Sequence, residues 1–260
     1  MLFLLKLTLT PVIVALMSIA ARRWGPMIGG LIMGLPWMTG PILFFLGLEH
    51  GETYVAHAST GVLIGVLGIA GYLIAYVYVG KYAPWPISLV AGALGFGLSA
   101  YAISGLDMSL VTAAIVGGAG LFVAYLLIPR VSDPGSLRFV PWWDIPMRMA
   151  ATAVLVGIIT LSANMLGPEL IGIVSTYPVI LTVLSTFMHA QWGWLPVVHL
   201  ARGMALSLLS FVMFFLVLGL TAESLGLVWA YVASAVAALV VSLVLVLSNQ
   251  IGRGRSPKAT

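Results

Sequence analysis

A chain of 260 residues that is 62% hydrophobic and only 7% charged cannot clothe a soluble domain, in which about a quarter of residues carry charge. Its long apolar runs, punctuated by Gly, Pro and charges, imply an all-α polytopic membrane protein; they lack the alternation of barrel strands of about ten residues, and leave no room for a separate soluble domain. With no cysteine there is no disulfide, thiolate metal site or thiol chemistry, and a net charge of +4 reads as membrane orientation, not nucleic-acid binding.

Nine spans follow in chain order. TM1 covers 3–21 and stops at Arg22-Arg23-Trp24, and TM2 covers 27–48 and stops at Glu49-His50-Gly51-Glu52. TM3 (54–79) ends at Lys81 and Pro84-Trp85-Pro86, TM4 covers 86–104, and Ser104-Gly105-Leu106-Asp107 turns the chain into TM5 (108–129). A polar segment from Arg130 to Asp144, with a turn at Asp133-Pro134-Gly135-Ser136, leads to TM6 (146–163). TM7 (169–190), TM8 (195–220) and TM9 (225–249) complete the set, and 251–260 form a basic tail. Each span is near the ~20 residues a bilayer needs. The apolar N-terminus lacks a basic n-region, so it reads as a span and not a cleaved signal.

An odd number of spans puts the termini on opposite sides. With the N-terminus outside, ten of the eleven Lys and Arg fall at the inner face, and Lys6 is the exception. Glu49, Glu52, Asp107, Glu169 and Glu223 fall outside. That is the positive-inside pattern, read as N-out and C-in.

The chain also repeats itself. From Lys6/Arg148 to Gly61/Gly203, at a constant shift of 142, thirteen of 56 pairs are identical, against roughly five expected from an apolar composition. The matches fall on Gly25/Gly167, Pro26/Pro168, Gly30/Gly172, Pro36/Pro178, Gly51/Gly193 and His57/His199, which apolar richness does not explain. TM6 comes five spans after TM1, so the copies enter from opposite faces. The expected architecture is therefore an inverted 4+1+4 repeat. Residues 1–104 form the first copy, 105–145 the linker helix and inner loop, and 146–250 the second copy.

Pro36 and Pro178 fall near the middle of TM2 and TM7, among Trp37, Thr39 and Gly40 in one copy and Thr176, Tyr177 and Thr182 in the other. A proline frees backbone polar groups, and inside a membrane these must find partners or line a cavity. Paired, interrupted helices point to a midplane solute site made by Pro36, Trp37, Thr39, Thr176, Tyr177 and Pro178. Lys6 and Arg148 are equivalent, one near each face, and are read as cations guarding the two mouths. The competing reading for both is a snorkelling anchor. His57 and His199 open TM3 and TM8 and are the candidates for proton coupling. Arg202, two turns into TM8, reads as snorkelling to a lipid headgroup or meeting solute. Most tryptophans cluster at span ends as an interfacial belt. No Walker A, G-x-S-x-G or H-E-x-x-H motif occurs, so neither an enzyme nor a pump ATPase is expected; no span centre carries a carboxylate, which speaks against a simple proton or metal-cation antiporter; and no cofactor or metal is assigned.

The segment Arg22-Arg23-Trp24-Gly25-Pro26 to Gly34-Leu35-Pro36, with Gly40-Pro41-Ile42-Leu43-Phe44-Phe45-Leu46 and Glu49-His50-Gly51, resembles the first repeat of a group of uncharacterised bacterial inner-membrane proteins. The resemblance implies a bacterial plasma-membrane location and carries no activity. The sequence reading is thus a secondary transporter of a small anionic or zwitterionic solute, embedded in the lipid bilayer, its oligomeric state open. Two alternatives stand beside it. One is a metal or cation carrier using Glu49, His50, His57, His189 and His199. The other is a non-transporting scaffold or complex subunit.

Overall fold

The structure, a computed structural model, describes residues 2–25, 27–28, 35–37, 39–131, 141–163 and 176–254. Among these it is all-helical. The helices are α1 (Leu2–Trp24), α2 (Thr39–His50), α3 (Glu52–Gly80), α4 (Trp85–Ser104), α5 (Leu110–Leu127), α6 (Asp144–Ala163), α7 (Val179–Trp192), α8 (Trp194–Leu225) and α9 (Leu227–Gly254). Of the positions singled out above, Pro26, Gly30, Gly34, Gly167, Pro168, Gly172, Glu169 and the turn at 133–136 lie outside the described residues, as does the side chain of Lys6.

Among the described residues five helices are long and apolar enough to cross a membrane: α3, α4, α5, α8 and α9. The chain is a multi-pass membrane protein by this measure. α3 and α8 form the centre and pack on each other, and α5 lies against both. α4 and α9 are peripheral. They leave rows of aliphatic side chains exposed, such as Val90, Leu94 and Leu98 on α4 and Val232, Val236 and Leu239 on α9. Exposed aliphatics at helical spacing on outer helices are what a lipid-facing surface requires.

Several buried hydroxyls are satisfied within their own helices. Ser18 donates to Val14 O at 2.7 Å, Ser59 to Val55 O at 2.8 Å, Thr152 to Arg148 O at 2.6 Å and Ser234 to Ala230 O at 2.7 Å. Such back-bonding lets polar residues sit in an apolar interior without an orphaned group. Where α3 crosses α4 the backbones nearly touch. A Cβ at Gly71 would lie 2.4 Å from Gly95 O, so only glycine permits this approach.

The 142-residue shift reappears in the backbone. α1 and α6 start at Leu2 and Asp144, α3 and α8 at Glu52 and Trp194, and α4 and α9 at Trp85 and Leu227. Gly51 (φ 87°, ψ 175°) and Gly193 (φ 82°, ψ −167°) stand at the two α2–α3 and α7–α8 corners. This region of backbone space is open essentially to glycine alone. The packing follows the same shift: α2 on α3 matches α7 on α8, α3 on α4 matches α8 on α9, and α4 on α7 matches α9 on α2.

Candidate functional site: a cavity at two proline turns

Pro36 and Pro178 each sit at the centre of a tight turn ahead of a helix. Trp37 N–H donates to Leu35 O at 2.8 Å, and Val179 N–H to Tyr177 O at 2.9 Å. With φ −80° and ψ 71°, Pro178 has the dihedrals of an inverse γ-turn. The proline carbonyl then accepts the first helical bond, from Gly40 N–H at 3.0 Å in α2 and from Thr182 N–H at 2.9 Å in α7. The same four-residue device, with the same bonds, thus starts both helices. The first N–H groups of each helix have no acceptor inside it, so both positive dipole ends lie at these turns.

The two turns border one cavity of about 510 Å³. Leu35, Pro36, Trp37 and Thr39 line it from one side, and Thr176, Tyr177, Val179 and Ile180 from the other. α1 adds Ile13 and Met17, α3 adds Tyr54 to Ile69 in part, and α8 adds Met204, Leu208 and Phe211. Its volume lies within the ~300–1,000 Å³ of small-molecule sites. The walls are mostly aliphatic and aromatic, and among the described residues that line it none is charged. Gly65 on α3 gives Thr176 its room, since a Cβ there would lie 2.6 Å from Thr176 Cβ.

Five of the eight residues read from the sequence as solute-binding therefore share this cavity: Pro36, Trp37, Thr39, Thr176 and Tyr177. Pro178 is buried between two lining residues and does not itself line it. Arg148 lies elsewhere, in a buried ion cluster where α1 ends, α6 begins and α7 ends. Its Nε donates to Asp144 at 2.7 Å, and Asp144 also pairs with Arg22 and accepts from Gln191. The guanidinium lies over the rings of Phe187 (5.1 Å) and Trp192 (5.7 Å). Asp144 and Arg148 are 0% and 1% exposed, so this is a buried charge group and not a surface anchor.

The histidines separate. His57 lines a second crevice with Asp107 and Glu223, whereas His199, half-buried on α8, lines neither space. Among the described residues no three of His, Asp and Glu are grouped to hold a metal ion. Arg202 departs from its lipid-headgroup reading. It donates to the carbonyls of Tyr125 and Ile128 and lies 4.4 Å from the Tyr125 ring centroid, so it caps the C-terminal end of α5.

Sequence reasoning missed the column that closes the cavity toward the far half of α3. Tyr177 at the cavity wall meets Tyr72 edge-on at 6.3 Å, Tyr72 stacks on Tyr76 at 5.6 Å, and Tyr76 faces His189 at 5.9 Å. Tyr72 is hydrogen-bonded to Ser185 at 3.2 Å, and the Tyr76 hydroxyl meets His189 Nδ1 at 3.4 Å. The only sequence signal was tyrosine at i and i+4 on one helix face. No family model, curated protein or solved structure matches this chain.

Proposed function

We propose that the chain is a secondary transporter that moves a small solute by alternating access. In this reading the chain crosses the membrane nine times as an inverted 4+1+4 repeat, amino terminus outside and carboxyl terminus inside, with α2 and α7 as the second halves of two interrupted spans. The observation that carries it is the convergence of two equivalent proline turns, one from each copy, on one cavity. A packing kink serving structure alone gives no reason for the same device at both positions to border a common space.

The lengths support a midplane site. α2 and α7 have 12 and 14 residues, or about 18 and 21 Å at 1.5 Å per residue. Each reaches from the middle of a ~30 Å hydrocarbon core to one surface. Interrupted helices with their positive ends at midplane are the usual cradle for a solute carboxylate. The apolar, aromatic wall suits the rest of the molecule. The solute is thus a small amphiphilic metabolite, anionic or zwitterionic at one end. The Asp144–Arg148 cluster, at the basic end of α1, fits a closed inner mouth. The likeness of the first repeat to bacterial inner-membrane proteins supports that membrane as the location.

The test is uptake of a labelled panel, apolar amino acids and monocarboxylates, into proteoliposomes. Flux by the wild-type protein, reduced in Pro36→Ala and in Pro178→Ala that still fold, is the expected result. Flux unchanged in both variants would remove the site. No flux of any solute would favour the scaffold reading. Sidedness is tested by labelling single cysteines at Glu49 and Lys81, which should react from opposite faces.

A further inference from the structure

The first half of α3 borders two spaces side by side. One is the central cavity. The other is a crevice of about 620 Å³, lined by His57 and Thr60 on α3, Asp107 and Ser109 before α5, and Glu223 near the end of α8. Gly61 and Ile64 line both. At about 100° per residue, His57, Thr60 and Ile64 form one stripe of α3 and Ala58, Gly65 and Ile69 the stripe beside it. Gly61 falls on their common edge.

Gly61 is not a packing glycine. A Cβ there meets nothing within 4 Å, whereas at Gly65 it would lie 2.6 Å from Thr176 and at Gly68 2.7 Å from Phe96. An interior helical glycine costs stability relative to alanine, and here the missing side chain leaves open the edge that the two spaces share. Toward its other end α3 is shut by Tyr72 and Tyr76, 0% and 1% exposed. The cavity therefore has a neighbour space at the Asp107–Glu223 end and a packed wall at the other.

Resting on the transporter reading above, we infer that solute reaches the central cavity from the Asp107–Glu223 crevice, through a neck at Gly61 and Ile64. The missing side chain of Gly61 sets the width of the neck. Two carboxylates at its rim disfavour net anions and so narrow the solute class from anions and zwitterions to zwitterions. A cleft lined by one sign of charge concentrates the opposite sign and repels its own.

The chain has no cysteine, so Gly61→Cys carries a single thiol. The probes are two membrane-impermeant methanethiosulfonates, one cationic and one anionic, applied to each face of reconstituted vesicles. Ser224→Cys, exposed beside Glu223, marks the face. Gly61→Cys should react from that face only. Relative to free thiol, it should favour the cationic reagent about tenfold. Asp107→Asn with Glu223→Gln should abolish the preference. In the same vesicles, Gly61→Trp should lower uptake of the panel solute that the wild type carries about tenfold or more, with the unfolding midpoint kept. An unreactive Gly61→Cys, reaction from the opposite face, indifference to reagent charge or undiminished uptake in Gly61→Trp would overturn the route. A wild type that carries no panel solute would sink the transporter reading instead, and the labelling would still decide whether the neck is open.

Discussion

The Asp144 cluster makes a quantitative claim about stability. Asp144 is 0% exposed and its carboxylate accepts from Arg148 Nε at 2.7 Å, from Gln191 and from Arg22, whose side chain is 22% exposed. Asp144→Asn keeps the shape and removes the charge. Arg148, 1% exposed, then holds a guanidinium with no counter-charge beside it. At about 4 Å and an effective dielectric of about 20, one lost attraction is about 4 kcal/mol, and breaking a buried pair costs about 3–5 kcal/mol. Arg22 can turn to water and adds little. We expect Asp144→Asn to lose about 3–5 kcal/mol. Arg148→Met should lose less, because Asp144 keeps Arg22 and Gln191. The double variant should be more stable than Asp144→Asn alone, since no buried cation remains unpaired. The assay is reversible unfolding in mixed micelles followed by helical circular dichroism. A loss below about 1 kcal/mol for Asp144→Asn, the range of exposed pairs, would show a hydrated cluster and refute the argument.

Three further outcomes use the same assay. Gly51→Ala and Gly193→Ala should each cost about 1–3 kcal/mol, and by similar amounts, because both corners hold a backbone conformation that alanine resists. Gly65→Ala should cost about 1–3 kcal/mol by pushing its new Cβ into Thr176, and Thr176→Gly should recover much of the loss in a double-mutant cycle. Gly61→Ala should go the other way and raise stability by about 0.5–1 kcal/mol, since its Cβ meets open space; a loss would mean that Gly61 is packed.

Much of this protein was legible in the chain alone. Low charge and long apolar runs determine a multi-pass helical membrane protein, because lipid leaves the backbone few other ways to satisfy its hydrogen bonds. The 142-residue register placed Pro36 opposite Pro178 and Gly51 opposite Gly193, because local backbone geometry is written in glycine and proline. Position across the fold was not legible. Nothing near Arg148 in sequence says that Arg22, 126 residues earlier, joins it on Asp144, or that Arg202 turns to the carbonyls of α5. Nor does the chain say that Tyr72, Tyr76 and His189 form one column, or that Gly61 faces space while Gly65 touches Thr176. Glycines four residues apart on one helix look alike in sequence. Only the packing of α3 against α8, α5 and the segment before α7 decides which one fills a contact and which one leaves a neck.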